Sequence, residues 1–320
     1  MKKKINIKTP IIMKRTFEKT DIYQLVTDRI ICQLEQGCVP WQRPWSLTSS
    51  AQTMAFSHDS GNPYSFLNQM LLGEPGEYLT FRRVKELGGT VRKGAKGRPV
   101  VFWKTVVHKE TEDDGTEKIR TVPVLKRYTV FHITDTEGVE SRLAGKEERT
   151  ASSASSLSPV EQADRTAQEY VKRNEPLRLC VIDSGKAYYS HSDDKVVVPK
   201  MSQFRSAEEY YSVLYHELVH STGHENRCNR RDAGAVAAFG DNAYAKEELT
   251  AEMGAAMALS CLGIDSEQAF DNSAAYIDGW LKKLRNDKTL VVRAAGKAEQ
   301  AVRYIFGVRN EEEESSEDGQ

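Results

Sequence analysis

The segment from His216 to His220 has the pattern His-Glu-x-x-His, and residues of these types at this spacing are suited to metal chemistry. Residues four apart lie on the same face of an α-helix, so His216 and His220 can direct two imidazole nitrogens at one point. Two imidazoles make half of a tetrahedral zinc shell. Glu217 can reach water at such an ion and act as a general base. The motif predicts a hydrolytic metal site; the alternative is two buried structural histidines beside a surface glutamate.

The residues around the motif predict the helix that this site needs. Ser206 followed by Glu209 is a capping-box pattern, and Gly223 offers a stop just after the second histidine. A longer zinc-protease pattern, H-E-x-x-H-x-x-G-x-x-H, matches through Gly223, but Asn226 stands where its last histidine would be. This departure argues against that class. His224 is close in sequence, but it follows the predicted end of the helix.

A third ligand is better sought in the helix-forming stretch Tyr244 to Leu259. Glu248 and Glu252 lie one turn apart, and the face that they share continues to Ala255 and Leu259. A carboxylate on an apolar face needs a partner, because burying an unpaired charge is costly. We predict Glu248 as the third ligand and Glu252 as the group that orients a histidine. Exchanged roles for the two glutamates, or an exposed acidic face, are the alternatives.

Residues 187–199 combine two β-rich runs with a Ser/Asp-rich turn, which predicts a hairpin upstream of the metal helix. A strand edge beside such a helix can receive an extended peptide by strand addition. The hairpin is weak support for a peptide substrate, since many α+β domains contain one.

The first half of the chain is strongly basic, although the formal net charge of the whole chain is −1. Residues 1–20 carry seven Lys/Arg and one Glu, and residues 81–109 carry nine Lys/Arg and one Glu. Aromatic residues lie among these cations, as in proteins that stack bases and track phosphates of single-stranded nucleic acid. A solvated turn and core-facing rings are the alternatives. The candidate DNA-binding residues are Trp41, Arg43, Trp45, Arg82, Arg83, Arg92, Lys93, Lys96, Arg98 and Trp103.

The chain of 320 residues is long enough for about two domains. We predict two α+β domains, at residues 1–140 and 161–308, joined by a Ser-rich linker at 141–160 and followed by an acidic, solvated tail at 309–320. Charged residues 110–120 resemble an inserted loop. No apolar run approaches the roughly 18 residues that span a membrane, and five scattered cysteines favour the reducing cytoplasm.

Several motifs resemble the ArdC-like antirestriction family. They are Val26 to Ile31, Leu34 to Trp45 with its Pro-Trp elements, Tyr78 to Trp103 with Leu-Gly-Gly-Thr-Val-Arg-Lys-Gly, and Arg127 to Phe131. The second half, with His216 to His220 and Tyr244 to Glu252, resembles the zincin-like metallopeptidase domain that usually follows. The resemblance implies an N-terminal domain that binds single-stranded DNA, as also found on plasmid primases, and a protein of conjugative or integrated mobile elements.

Together with this resemblance, the patterns predict a single-stranded-DNA-binding antirestriction protein of a mobile genetic element that carries a zinc-dependent metallopeptidase-like domain, with manganese or iron as alternative metals. Its partners would be single-stranded DNA and a protein or peptide substrate, with no membrane. Two rival hypotheses remain: a DNA protector whose metal domain is structural, and a plain metalloprotease whose basic face is incidental.

Overall fold

The chain folds into the predicted two-domain α+β architecture. The computed structural model describes residues 21–42, 54–111, 117–142, 157–230, 242–264 and 274–308. Within that part of the chain, no helix is both long and apolar enough to cross a membrane.

The N-terminal domain is built on a four-stranded sheet of order β1-β2-β5-β4. Its strands are β1 (Ala55–Ser57), β2 (Gly76–Thr80), β4 (Arg98–Thr111) and β5 (Glu117–His132). β1 and β2 are parallel, and the other pairs are antiparallel. Helices α1 (Ile22–Glu35), α2 (Phe66–Leu72) and α3 (Phe81–Glu86) accompany it, and β3 (Thr90–Val91) pairs with β6 (Thr136–Glu137).

Residues 110, 111 and 117–120 of the charged segment belong to strands and not to the inserted loop that its composition suggested, and residues 112–116 lie outside the described residues. β4 and β5 stay paired from Arg98↔Val130 as far as Thr111↔Glu117, so both ends of the segment belong to strands. Val, Ile and Thr are frequent along these strands and favour extended backbone. The result is a long two-stranded ribbon that continues beyond β1 and β2.

In the described part of the C-terminal domain, five helices combine with a three-stranded sheet of order β7-β9-β8. The strands are β7 (Arg178–Ile182), β8 (Tyr188–Ser190) and β9 (Lys195–Pro199), and the antiparallel β8–β9 pair is the predicted hairpin. The helices are α4 (Pro159–Arg173), α5 (Ala207–Ser221), α6 (Asn242–Cys261), α7 (Ala274–Asn286) and α8 (Leu290–Ile305).

Among the described residues, the larger hydrophobic cluster spans both domains, and a smaller one lies within the N-terminal domain. Buried residues of α1, including Val26, Ile30 and Leu34, belong to the same cluster as residues of α7 and α8. Thr27 donates its hydroxyl to the Lys288 carbonyl at 2.7 Å. Lys288 in turn donates to Asp21 at 2.6 Å on the exposed rim. Helix α1 of the N-terminal domain therefore packs directly against helices of the C-terminal domain.

A glycine sets the closest approach of α5 to α6. A Cβ on Gly254 would lie 2.7 Å from Cγ2 of Val219, well inside van der Waals contact. Val219 lies between His216 and His220 on α5. The contact with Gly254 therefore also sets the distance between these histidines and the side chains of α6 that face them.

We expect Gly254→Ala to lower the free energy of unfolding by about 1–3 kcal/mol, because the new methyl overpacks a tight helix contact. Gly279→Ala is the matched control: Gly279 lies in α7 with nothing within 4 Å of an added Cβ. There, helix propensity should raise stability by about 0.5–1 kcal/mol. Urea unfolding of both variants measures the difference, and a shift of the same sign in both would contradict the close-packing argument.

Candidate metal centre and nucleic-acid surface

Helix α5 brings the two motif histidines together. Ser206 caps the helix, with its hydroxyl accepting from the Glu209 N–H at 3.2 Å, and the helix runs to Ser221. One turn apart on its face, His216 and His220 direct their Nε2 atoms at each other over 3.1 Å. Two ring nitrogens that face one point at this distance are arranged as a chelate.

Helix α6 supplies a carboxylate at the same point. Oε2 of Glu248 lies 3.7 Å from His216 Nε2, and its Oε1 lies 3.5 Å from His220 Nε2. One ligand atom from each of the three residues lies within 4.8 Å of the others. Bonds of about 2.0–2.2 Å to a tetrahedral ion require ligands separated by roughly 3.3–3.6 Å. This donor set fits a divalent cation, and the carboxylate that the structure brings to both histidines is that of Glu248.

Charge interactions between the histidines and glutamates of this cluster shift their pKa values. Burial disfavours ionisation of Glu248, but the hydrogen bond from His216 and the charge of His220 outweigh it and lower its pKa. For His216, burial lowers the pKa, while Glu248, Glu252 and Glu217 more than compensate and raise it. The Tyr244 hydroxyl also hydrogen bonds to Glu248. The cluster therefore favours positive charge at its centre.

Glu217 is buried, and its charge interacts with His216, His220 and Glu248. Burial raises its pKa, and the neighbouring histidines oppose the rise. The backbone N–H of Tyr189 on strand β8 hydrogen bonds to it. A carboxyl that is held next to a metal-ligand cluster, with a raised proton affinity, is suited to accepting a proton from water.

Sequence reasoning missed the group that holds His220 in place. Oε1 of Glu247 lies 3.3 Å from His220 Nδ1. The buried Arg230 guanidinium donates to both Glu247 oxygens, at 2.6 and 3.1 Å, and to the Val219 carbonyl at 2.7 Å. Burial opposes ionisation of Glu247, but hydrogen bonds from His220 and Arg230 lower its pKa to about 2. Such a carboxylate fixes the tautomer of a ligand histidine.

Glu252 lies one turn beyond Glu248 on α6. Burial raises its pKa, which the charge of His216 opposes, and its Oε2 accepts a hydrogen bond from Tyr276 at 3.3 Å. Its position suits the predicted role of orienting a histidine, which stays a prediction. His224, by contrast, lies outside the ligand cluster and stacks against His191, with ring centroids 5.1 Å apart.

The candidate DNA-binding residues are placed in three different ways. Arg43 and Trp45 lie outside the described residues. Arg92, Lys93 and Lys96 are exposed on the turn before β4. Arg82 and Arg83 are ion-paired, with Glu86 at 2.7 Å and Asp59 at 2.7 Å respectively.

Two candidates have structural positions instead. Trp41 is wholly buried, with its ring edge-on to Trp280 of α7. Arg98 donates to the Leu72 carbonyl and to the Tyr78 hydroxyl, each at 2.9 Å, and is paired with Glu74. Neither side chain is presented to a nucleic acid, because Trp41 is buried against the C-terminal domain and Arg98 is held by partners within its own domain.

One face of the β4–β5 ribbon carries exposed rings and cations that the sequence alone did not single out. Phe102 and Tyr128 are 41% and 36% exposed, and their centroids are 5.8 Å apart. Lys126 is the register partner of Phe102, and Lys104 Nζ lies 6.0 Å from the Tyr128 ring. Because neighbouring residues alternate between faces, Trp103 lies on the opposite one, against Tyr23 at 6.4 Å.

Comparison with known proteins agrees with both halves of this architecture. Residues 20–131 match the N-terminal domain of anti-restriction factor ArdC, and residues 170–297 match a zincin-like metallopeptidase domain. The crystal structure of metal-free antirestriction ArdC protein from the R388 plasmid is 32% identical, with a TM-score of 0.66; the match covers 91% of this chain and all of that one. The chain belongs to the ArdC antirestriction family.

Other ArdC-like relatives extend the comparison. The Mn(II)-bound structure of the R388 ArdC protein is 31% identical with a TM-score of 0.64, over 94% of this chain and 100% of that chain. The y4eC protein of Sinorhizobium fredii is 32% identical over 91% of this chain and 94% of its own length. The DNA primase TraC of Escherichia coli is 30% identical over 90% of this chain, which spans only 20% of the primase.

We expect Glu247→Gln to weaken divalent-metal binding by about 10- to 100-fold, because a neutral amide holds His220 Nδ1 less firmly. Chelator competition with Zn²⁺ measures the affinity. Glu169→Gln, on the exposed face of α4, is the matched control and should bind like the wild type. Equal affinities for the two variants would remove Glu247 from the site, and thermal melts of the metal-free proteins report separately on folding.

Proposed function

We propose that the protein binds single-stranded DNA of a mobile element and cleaves a protein or peptide in a metal-dependent reaction. The observation that carries the proposal is the convergence of His216, His220 and Glu248 on one point, with buried Glu217 beside them. A bound ion would supply a Lewis acid that polarises a peptide carbonyl and acidifies water. Zinc suits this donor set best, with manganese and iron as alternatives.

Metal binding, orientation of the histidines and proton transfer would fall to different residues of the chain. His216, His220 and Glu248 would hold the ion, and Glu247 and Glu252 would orient the two histidines. Glu217 would take a proton from the attacking water at its carboxylate and later return it to the leaving amine. Its hydrogen bond from the Tyr189 backbone supports this role, because it fixes the carboxylate without neutralising it.

A peptide substrate would lie along strand β8. This strand forms an edge of its sheet, since the order is β7-β9-β8, and it is linked to Glu217 through Tyr189. Tyr188 is 45% exposed at the same edge. An extended peptide that adds to this edge would receive main-chain hydrogen bonds and pass beside the metal cluster.

Single-stranded DNA would lie along the β4–β5 ribbon on the face of Phe102 and Tyr128, with the exposed turn cations following its phosphates. Stacking on rings and contact between cations and phosphates together give binding without strong sequence preference. Trp103 faces the other way, so one strand of DNA cannot use both surfaces at once. Incoming DNA as a partner also favours the cytoplasm as the place of action.

The rival reading, a DNA protector with a structural metal site, has one observation against it. A structural site has no need for Glu217, yet this carboxyl is buried at an energetic cost. A plain metalloprotease is disfavoured by membership of an antirestriction family and by the exposed basic turn. Cleavage of casein or of a protein bound to single-stranded DNA distinguishes the three.

We expect Glu217→Gln to retain fold, metal and DNA binding but to lose about 10²- to 10⁴-fold in peptidase rate, because the amide cannot accept the proton. The control is Glu225→Gln, an exposed glutamate in the turns after α5. Retained activity in Glu217→Gln would make the general-base assignment wrong. Absence of cleavage by the wild type, tested with and without single-stranded DNA, would favour the protector.

Two sets of substitutions separate stacking from charge in DNA binding. Phe102→Ala with Tyr128→Ala should weaken binding by about 1–3 kcal/mol per lost stack and leave the salt dependence unchanged. Replacing Arg92, Lys93 and Lys96 by alanine should reduce the slope of log K against log salt by about 2. Both are measured by fluorescence anisotropy of an oligonucleotide on the full chain.

Two controls accompany these variants. Trp103→Ala tests the opposite face, and alanine at Lys172, Lys186 and Lys282 removes three exposed cations of the C-terminal domain. Each should bind like the wild type. If Trp103→Ala is the variant that loses affinity, the DNA lies on the other face of the ribbon; if the C-terminal cations carry the salt slope, the basic turn is not the contact surface.

A further inference from the structure

Trp41 belongs to the N-terminal domain but packs against helices of the C-terminal domain. It sits in a short 3₁₀ turn, Pro40–Gln42, which packs against α6, and it is 0% exposed. Its ring meets Trp280 of α7 edge-on, with centroids 6.2 Å apart and planes at 87°. A ring that is fully buried in such a contact restricts the conformations of the side chains packed against it.

The next contact leads toward the metal centre. Tyr276 lies one turn before Trp280 on α7, and their rings meet at 6.4 Å and 77°. Trp280 therefore packs against both Trp41 and Tyr276. The Tyr276 hydroxyl donates to Oε2 of Glu252 at 3.3 Å. Trp41, which the N-terminal domain supplies, thus restricts Tyr276 through the ring of Trp280.

Glu252 is the last step of this sequence of contacts. It lies one turn after Glu248 on α6, and its charge and that of His216 act on each other. A buried carboxyl can turn about its side-chain bonds unless a donor holds one of its oxygens. The Tyr276 hydroxyl therefore holds one oxygen of a carboxyl that lies one helical turn from Glu248.

We propose that Tyr276 and Trp41 are positioning residues for the metal centre: Trp41 supports Tyr276 through Trp280, and the Tyr276 hydroxyl orients Glu252 one helical turn from Glu248. The N-terminal domain thereby completes a site whose ligands all belong to the C-terminal domain. This inference rests on the metal site proposed above, and it concerns the ion's affinity and coordination rather than its identity.

The test is Tyr276→Phe in the full chain, with Tyr304→Phe as its matched control. Tyr304 also lies on a C-terminal helix, but its hydroxyl donates to Asn174 at 2.8 Å, away from the cluster. Affinity for Zn²⁺ comes from chelator competition, and coordination comes from the visible absorption of the Co²⁺-loaded protein. We expect Tyr276→Phe to lose about 10-fold or more in affinity and to alter the spectrum, with Tyr304→Phe unchanged in both.

Trp41→Phe should shift affinity and spectrum in the same direction by less, and its effect should not add to that of Tyr276→Phe, since both act through one hydroxyl. Wild-type affinity and spectrum in Tyr276→Phe would overturn the inference. If that variant fails to fold, Trp41→Phe with wild-type metal binding overturns it equally. A wild-type protein that binds no ion would overturn the proposed metal site itself, which is a different result from either.

Discussion

The close contact between α5 and α6 is the constraint on which the rest of the C-terminal domain depends. Gly254 against Val219 lets the helices approach until Glu248 meets His216 and His220. That approach gathers several ionisable side chains in a partly buried space, and their charges are tolerable only in mutual contact or around a cation. Arg230 and Tyr276 each satisfy one of the carboxylates outside the ligand cluster.

The two domains depend on each other through their shared core. Helix α1 packs with α7 and α8, so truncation at the Ser-rich stretch would expose Val26, Ile30 and Leu34. It would also remove the contact of Trp41 with Trp280 in the C-terminal domain. The proposed DNA surface and the proposed metal site therefore belong to one folded body. A protein that follows DNA along the ribbon would carry its peptidase-like site with it, which suits the removal of proteins that meet incoming DNA.

The parts of the structure that follow local rules were predictable. Four-residue spacing predicted the paired histidines, capping chemistry predicted the start of α5, and an apolar helix face indicated Glu248. Contacts between distant segments were not. Arg230 reaches Glu247 across 17 residues, and no local pattern marks an arginine that will be buried. Trp41 resembled a stacking residue because Arg43 and Trp45 follow it, but its environment is decided by Trp280 in another domain. Residues 110–120 have the composition of a loop, yet cross-strand pairing extends the strands into them.

Crystallography of the full chain with Mn²⁺, using anomalous scattering, tests the central assignment most directly. A single peak between His216 Nε2, His220 Nε2 and the Glu248 carboxylate, at about 2.0–2.3 Å from each, is the expected result. Glu217 should remain outside bonding distance, with water between it and the ion. A peak that lies elsewhere, or that has Glu217 as a direct ligand, would contradict the assignment of three ligands and one base.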